Sequence, residues 1–192
     1  FTGLIHVAIL RIFMEQLKSA EELKSLVREK YGEIAERSSC CGSTCCGMEG
    51  GSVEYDYSAF SDDYTKLPGY KAEADLKLGC GLPTHHALIK AGDTVVDLGS
   101  GAGNDAFVAL ELVGPTGHVI GIDMTEAMVA KARKNARVIG AKNVEFHLGE
   151  IEALPLVANM TDVVVSNCVM NLVPDKLKAF AETFRILKPG GH

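Results

Sequence analysis

From Asp93 onward, short apolar runs alternate with longer stretches in which apolar residues recur every third or fourth position. That alternation predicts βαβ units and a parallel sheet, an α/β fold of the doubly wound, Rossmann-like kind. Strands are expected over Thr94–Leu98, His118–Asp123, 143–148 and 162–167. Helices are expected over 105–113, closed by Gly114-Pro115, over 125–139, capped by Thr125 and ended by Gly140, and over 174–187. The last of these carries Leu177, Phe180, Phe184 and Leu187 on one face, and Lys188-Pro189-Gly190-Gly191 stops it.

Upstream the pattern changes. Ser19-Ala20-Glu21-Glu22 forms a capping box, and Leu23, Leu26, Val27, Tyr31 and Ile34 follow at helical spacing. This helix is expected to pack over a ligand held by the sheet. Residues 38–52 read as a Gly/Ser/Cys loop, and 53–81 as a polar lid segment with one short helix near 71–76. The chain therefore divides into an N-terminal extension, 1–92, and a sheet domain, 93–192. Residues 1–13 begin with Phe rather than Met, and Met14 opens an ordinary helical stretch. The segment 1–13 is expected to be non-native or upstream sequence.

The chemistry centres on the turn after the first strand. Val95-Val96-Asp97-Leu98 runs into Gly99, Gly101 and Gly103, and a helix begins directly afterwards. Glycines allow positive φ and close approach of a ligand to backbone, and a helix start leaves N–H groups free to meet it. The second strand ends in Asp123, an acid placed to grip ribose hydroxyls. Two cofactor classes share this layout. The dinucleotide fingerprint is G-x-G-x-x-G, whereas here the spacing is G-x-G-x-G behind Asp97. That form resembles the first motif of class I S-adenosylmethionine methyltransferases, whose ligand is cationic and suits a neighbouring acid. In that fold the turn at Glu150, Ile151 and Glu152 borders the adenine ring, and Met124 follows the ribose acid.

Composition narrows the classes further. A net charge of −6 argues against a nucleic-acid surface. No apolar run is long enough to span a bilayer, so no membrane partner is expected. Six cysteines without an export signal point to reduced thiols in a cytoplasm. Their clustering favours ligation over disulfides. Oligomeric state has no signature in the sequence.

Cys168 ends the fourth strand in Ser166-Asn167-Cys168, at the carboxyl edge where open α/β sheets bind ligands, so Asn167 and Cys168 should face the glycine loop. A thiol there suits a soft, thiophilic substrate, or else it is a small buried hydrophobe. Cys80 lies between Gly79 and Gly81, in a turn that could present its side chain. Cys40, Cys41, Cys45 and Cys46 sit too close together for a zinc ribbon and read as a loose capture site or an oxidation-prone loop. His85-His86 lack a carboxylate or Cys at ligand spacing.

Taken together, VREKYGEIA (27–35), LGCG (78–81), VVDLGSGAGND (95–105), VIGIDMT (119–125), LGEIEALP (148–155), VVSNCVMNLVPDK (164–176) and ILKPGG (186–191) resemble the arsenite methyltransferase family. The resemblance implies S-adenosyl-L-methionine as cofactor, held by Asp97, Gly99, Gly101, Gly103, Asp123, Met124, Glu150, Ile151 and Asn167. It implies As(III) bound by the thiolates of Cys80 and Cys168, delivered as an adduct of glutathione or another thiol. The third cysteine commonly used by the family lies in a C-terminal half that this chain does not contain. The residues by themselves leave open a small-molecule C-, N- or O-methyltransferase with incidental cysteines, or a soft-metal-binding protein without catalysis. Strands five to seven of the family's sheet are expected to be missing, which would leave Val163-Val164-Val165 as an unguarded edge and the chain prone to aggregate.

Overall fold

The structure, a computed structural model, describes residues 19–37, 63–76 and 81–192. Helix α1 spans Ala20–Arg37 and a 3-10 turn spans Tyr64–Lys66. The short α2, Pro83–His86, precedes strand β1, Thr94–Leu98. Then come α3 (Asn104–Val113), β2 (His118–Asp123), α4 (Glu126–Val138), β3 (Val144–Leu148), β4 (Val163–Ser166), a 3-10 turn (Met170–Leu172) and α5 (Lys176–Ile186). β1 and β2 start and end where the apolar pattern places them. The other elements of the sheet domain shift by a residue or two, mostly at their ends.

The four strands run parallel in the order β3-β2-β1-β4. The chain leaves β1 in one direction, through β2 to β3, and returns to β1's other side at β4. β1 and β4 therefore flank a topological switch point, where a parallel sheet opens a crevice at its carboxyl edge.

Side chains alternate along the strands, so each face builds its own core. Val95, Val119, Val163 and Val165 pack with Phe107, Val113, Val129 and Ala132 of α3 and α4. Phe146 of β3 closes that side, its ring 5.8 Å from Phe107 at an interplanar angle of 73°. Val96, Leu98, Ile120 and Ile122 point the other way, to Ile151, Leu154, Ala179 and Ile186. Helices on both faces give the doubly wound arrangement.

One expectation needs correction, and two apolar patterns lie differently from a plain buried stripe. Residues 71–76 form a hydrogen-bonded turn, Ala74 N to Lys71 O at 3.0 Å, and no helix. In α1 the buried positions are Lys24, Val27 and Ala35, while Leu26 is exposed. On α5 the stripe Leu177, Phe180 and Phe184 faces outward, 85%, 59% and 81% exposed, and Ala179 and Ile186 are buried instead. The Glu182–Arg185 pair docks this helix: Arg185 donates to the carbonyls of Leu156 and Leu154, and Glu182 accepts from Leu154 N.

β4 lies at one end of the sheet, as expected. Its outer rim is not bare, because Val164 N donates to His192 O at 2.8 Å and His192 N donates to Asp162 O at 3.0 Å. Ser19 caps α1 through its Oγ, which accepts from Glu22 N at 3.2 Å. The segment 1–13 and Cys40, Cys41, Cys45, Cys46 and Cys80 lie outside the described residues. Among the described residues no helix is long and apolar enough to cross a membrane.

Candidate functional site

A cleft opens at the switch point. Gly99–Gly101 and Asn104–Asp105 form its floor, Asp123–Thr125 and Gly149–Glu152 one wall, and Asn167–Val169 the other. Lys24, Val27 and Tyr31 of α1 cover it, as the helical spacing upstream suggested. The sequence-expected residues Gly99, Gly101, Asp123, Met124, Glu150, Ile151, Asn167 and Cys168 all line this one cleft. Asp97 sits behind the glycine loop, 1% exposed.

The loop owes its shape to backbone that only glycine adopts easily: φ is +76° at Gly99, +52° at Gly101 and +99° at Gly103. A Cβ on Gly101 would meet no protein atom within 4 Å, so its face is left open to the cleft. On Gly99 a Cβ would strike Val169 at 2.7 Å. Asp123 ties the two loops together. Its Oδ2 accepts from Gly101 N at 3.0 Å and its Oδ1 from Thr125 N at 2.8 Å.

Carboxylates dominate the electrostatics. Burial pushes the Asp97 carboxyl well above the usual carboxylate range, and the nearby charges of Asp105 and Asp123 push it further. Burial also raises Asp105, against hydrogen bonds from Asn167 and Tyr64, and raises Asp123, against the bonds from Thr125 and Gly101. Asp97 Oδ2 is buried with no hydrogen-bond partner. An unpaired buried carboxylate oxygen among like charges is costly and asks for a cation. The cleft is thus suited to a positively charged ligand.

Glu150 is already engaged. Lys24 Nζ lies 2.7 Å from its Oε2, and Arg28 bonds its other oxygen. Lys24 also reaches Glu152 at 3.3 Å. Asn167 is engaged too: its Nδ2 lies 2.8 Å from Tyr64 Oη and 3.0 Å from both the Gly81 carbonyl and Asp105 Oδ2. Cys168 follows in the left-handed region, at φ +56°, and its sulfur is in a disulfide. His85 and His86 are exposed on α2, and among the described residues no group of three or more His, Cys, Asp and Glu side chains could hold a metal ion. Sequence reasoning missed Lys24, Arg28 and Tyr64. No local pattern marks them, since each acts on a partner far along the chain.

A family model for the methyltransferase domain matches residues 89–192, more than half of the chain. The chain belongs to the methyltransferase domain family. An arsenite methyltransferase of Halobacterium salinarum is 46% identical over 91% of this methyltransferase chain and 47% of its own length. The crystal structure of an arsenic(III) S-adenosylmethionine methyltransferase from Chlamydomonas reinhardtii superposes with a TM-score of 0.59 at 42% identity, covering 67% of this chain and 44% of that one. A S-adenosylmethionine-dependent methyltransferase of Aquifex aeolicus gives a TM-score of 0.54 at 32% identity, over 60% of this chain and 62% of that one. The resemblance read from the motifs is matched by these likenesses, and so is the Rossmann-like fold class. This methyltransferase chain spans about half the length of the arsenite methyltransferase relative.

Proposed function

We propose that this chain takes part in S-adenosylmethionine-dependent methyl transfer to trivalent arsenic, converting arsenite to methylarsenicals as a detoxification. The observation that carries the reading is the position of Cys168, a cysteine at the carboxyl end of β4 on the wall of a cleft whose floor is the glycine loop. A soft sulfur beside a cation-seeking pocket fits a thiophilic substrate better than a phenol or an amine.

The residues fit the cofactor on three counts. The orphaned Asp97 Oδ2 and the raised carboxyls around it favour a cationic ligand. The open face of Gly101 admits it. Asp123, held at the cleft wall by Gly101 and Thr125, keeps lone pairs for ribose hydroxyls. When bound, S-adenosylmethionine supplies an electrophilic methyl group on a sulfonium sulfur.

The protein's own task is positioning. Trivalent arsenic brings its own lone pair, so no residue need serve as general base. Cys168 is oxidised in the structure. Two equivalents of glutathione or another thiol reduce the disulfide and leave as the oxidised thiol pair. The freed Cys168 thiol then exchanges with the arsenite adduct: its S–As bond forms as the adduct's thiol S–As bond breaks, and the departing sulfur takes the Cys168 proton. A reducing compartment such as the cytoplasm suits this cycle. Cys80 is the second candidate ligand.

The test is turnover of S-adenosylmethionine with arsenite and glutathione, set beside phenol and quinol acceptors. Methylarsenicals formed by the wild type and lost in Cys168→Ser, with cofactor affinity kept, are expected. Methylation of phenols or quinols with none of arsenite would return a small-molecule methyltransferase to first place.

A further inference from the structure

Tyr64 lies outside every motif that carried the functional reading, yet it is 5% exposed and its hydroxyl sits at the centre of a polar knot. Tyr64 Oη lies 2.6 Å from the Gly81 carbonyl and 2.8 Å from Asp105 Oδ1, and it accepts from Asn167 Nδ2 at 2.8 Å. One hydroxyl thus joins the segment before the sheet to the start of α3 and the end of β4. The hydroxyl both accepts and donates, which a carbonyl or an amide nitrogen alone cannot do. The Tyr64 segment is itself anchored. Asp63 Oδ1 accepts from Thr65 N at 3.0 Å, and Gly69 packs so tightly on α3 that a Cβ there would lie 2.5 Å from Phe107 O.

The next residue after Asn167 is Cys168, whose φ of +56° is unusual for a side chain with a Cβ. Such a conformation persists where its surroundings over-determine it. The disulfide constrains Cys168 through its sulfur, and the bonds on the Asn167 side chain hold the strand end immediately before the turn.

We propose that Tyr64 is a positioning residue for Cys168: its hydroxyl, with Asp105 and the Gly81 carbonyl, holds the Asn167 side chain, and this sets the backbone conformation that presents the Cys168 sulfur to the cleft. The inference rests on the reading that Cys168 holds arsenic. Tyr64 touches neither substrate nor cofactor in this scheme. Its effect passes through Asn167.

The experiment compares Tyr64→Phe with the wild-type chain, both reduced with glutathione, in arsenite retention and in calorimetric binding of S-adenosylmethionine. Phe keeps the buried ring and removes the hydroxyl. Arsenite affinity should fall by about tenfold, the weight of one hydrogen bond, and by more than cofactor affinity, which falls too because Asn167 and Asp105 line the cleft. Val113→Ala, in the core away from the cleft, controls for general loosening. Equal loss of arsenite affinity in Val113→Ala at a matched melting temperature would overturn the proposal, as would wild-type affinity in Tyr64→Phe. If Tyr64→Phe does not fold, Tyr64→His stands in, since its ring nitrogen falls short of the hydroxyl position. Folded with weakened arsenite binding it supports the role, and folded with wild-type binding it overturns it. Cys168→Ser separates this inference from the one beneath it. Arsenite retained by Cys168→Ser refutes the reading of Cys168 itself, whereas arsenite lost there but kept in Tyr64→Phe refutes only the positioning role.

Discussion

Lys24 and Glu150 stand 126 residues apart in sequence and 2.7 Å apart in space. The contact fastens α1 over the cleft, with Arg28 on the same carboxylate and Glu152, 7% exposed, as the second acid on Lys24. Burial alone would lower the Lys24 pKa, but the bonds to Glu150 and Glu152 raise it. Glu150 is lowered, first by its bond to Lys24. A raised lysine contributes stability up to its unfolded pKa of about 10.4 and loses it above, and a lowered glutamate keeps its share down to about 4.3. The clasp is therefore complete across neutral pH.

Lys24→Met should leave Glu152 buried without its cation. The expected cost is about 2 kcal/mol of folding stability, below the range for fully dry pairs because Glu150 still reaches water. Cofactor affinity should fall with it, since Lys24 lines the cleft. Urea titration and calorimetry measure the two effects. An unchanged denaturation midpoint would show that α1 contributes nothing through this contact.

Asp97→Asn should move stability and binding in opposite directions. The folded-state pKa of Asp97 lies above its unfolded value of about 3.9, so ionised Asp97 weakens the fold. With more protons bound in the folded state, stability falls as pH rises through that window. Other carboxylates act with the opposite sign. Glu182 is lowered by its bond to Arg185, and Asp162, despite burial, by Lys188. The clean readout is the melting-temperature difference between Asp97→Asn and wild type, without cofactor. It should favour the variant at pH 7 and shrink toward about pH 4, while S-adenosylmethionine binding weakens at pH 7. A variant that melts lower at pH 7 would contradict the assignment.

What could be read from the chain and what could not divide by range of interaction. β1 and β2 were legible because their apolar runs are bounded by Gly or by an acid within a residue or two. The glycine loop, Asp123 and Cys168 were legible because a parallel sheet sends all strand ends to one edge. Glu150 illustrates the limit: its place on the cleft wall was predictable, but its pairing with Lys24 and Arg28 was not, because no local spacing encodes a partner so distant. Tyr64 was hidden for the same reason. α5 shows a second limit. Its most apolar stripe is the exposed one, and the Glu182–Arg185 pair sits on the docked side. Periodicity reports an amphipathic face, not which way that face turns.

Two neighbouring glycines should respond differently to the same substitution. Gly99→Ala brings a Cβ within 2.7 Å of Val169 at φ +76°, so folding should suffer by about 1–3 kcal/mol of overpacking. Gly101→Ala meets no protein atom and lies at φ +52°, so its fold cost should stay near about 1 kcal/mol. Its methyl instead occupies space on the cleft floor, and S-adenosylmethionine affinity should drop by more than about tenfold. Thermal melts and calorimetry on the pair give the contrast. Equal cofactor affinity in Gly101→Ala and wild type would place the ligand elsewhere.

The orientation of α5 can be tested with two alanine substitutions two residues apart. Ile186 is 0% exposed and packs among Val96, Ile120 and Ala179 on the second face of the sheet. Its backbone carbonyl also accepts from Met160 N at 2.8 Å and Thr161 N at 3.0 Å, so the loop before β4 is pinned there and has little freedom to collapse into a void. Ile186→Ala should therefore cost about 2–5 kcal/mol. Phe184 is the larger side chain but is 81% exposed, so Phe184→Ala should stay within about 0.5 kcal/mol of wild type. A ranking by residue size alone predicts the reverse order. Denaturant midpoints of the two variants decide between them, and a larger loss in Phe184→Ala would mean that the stripe of Leu177, Phe180 and Phe184 is covered in solution.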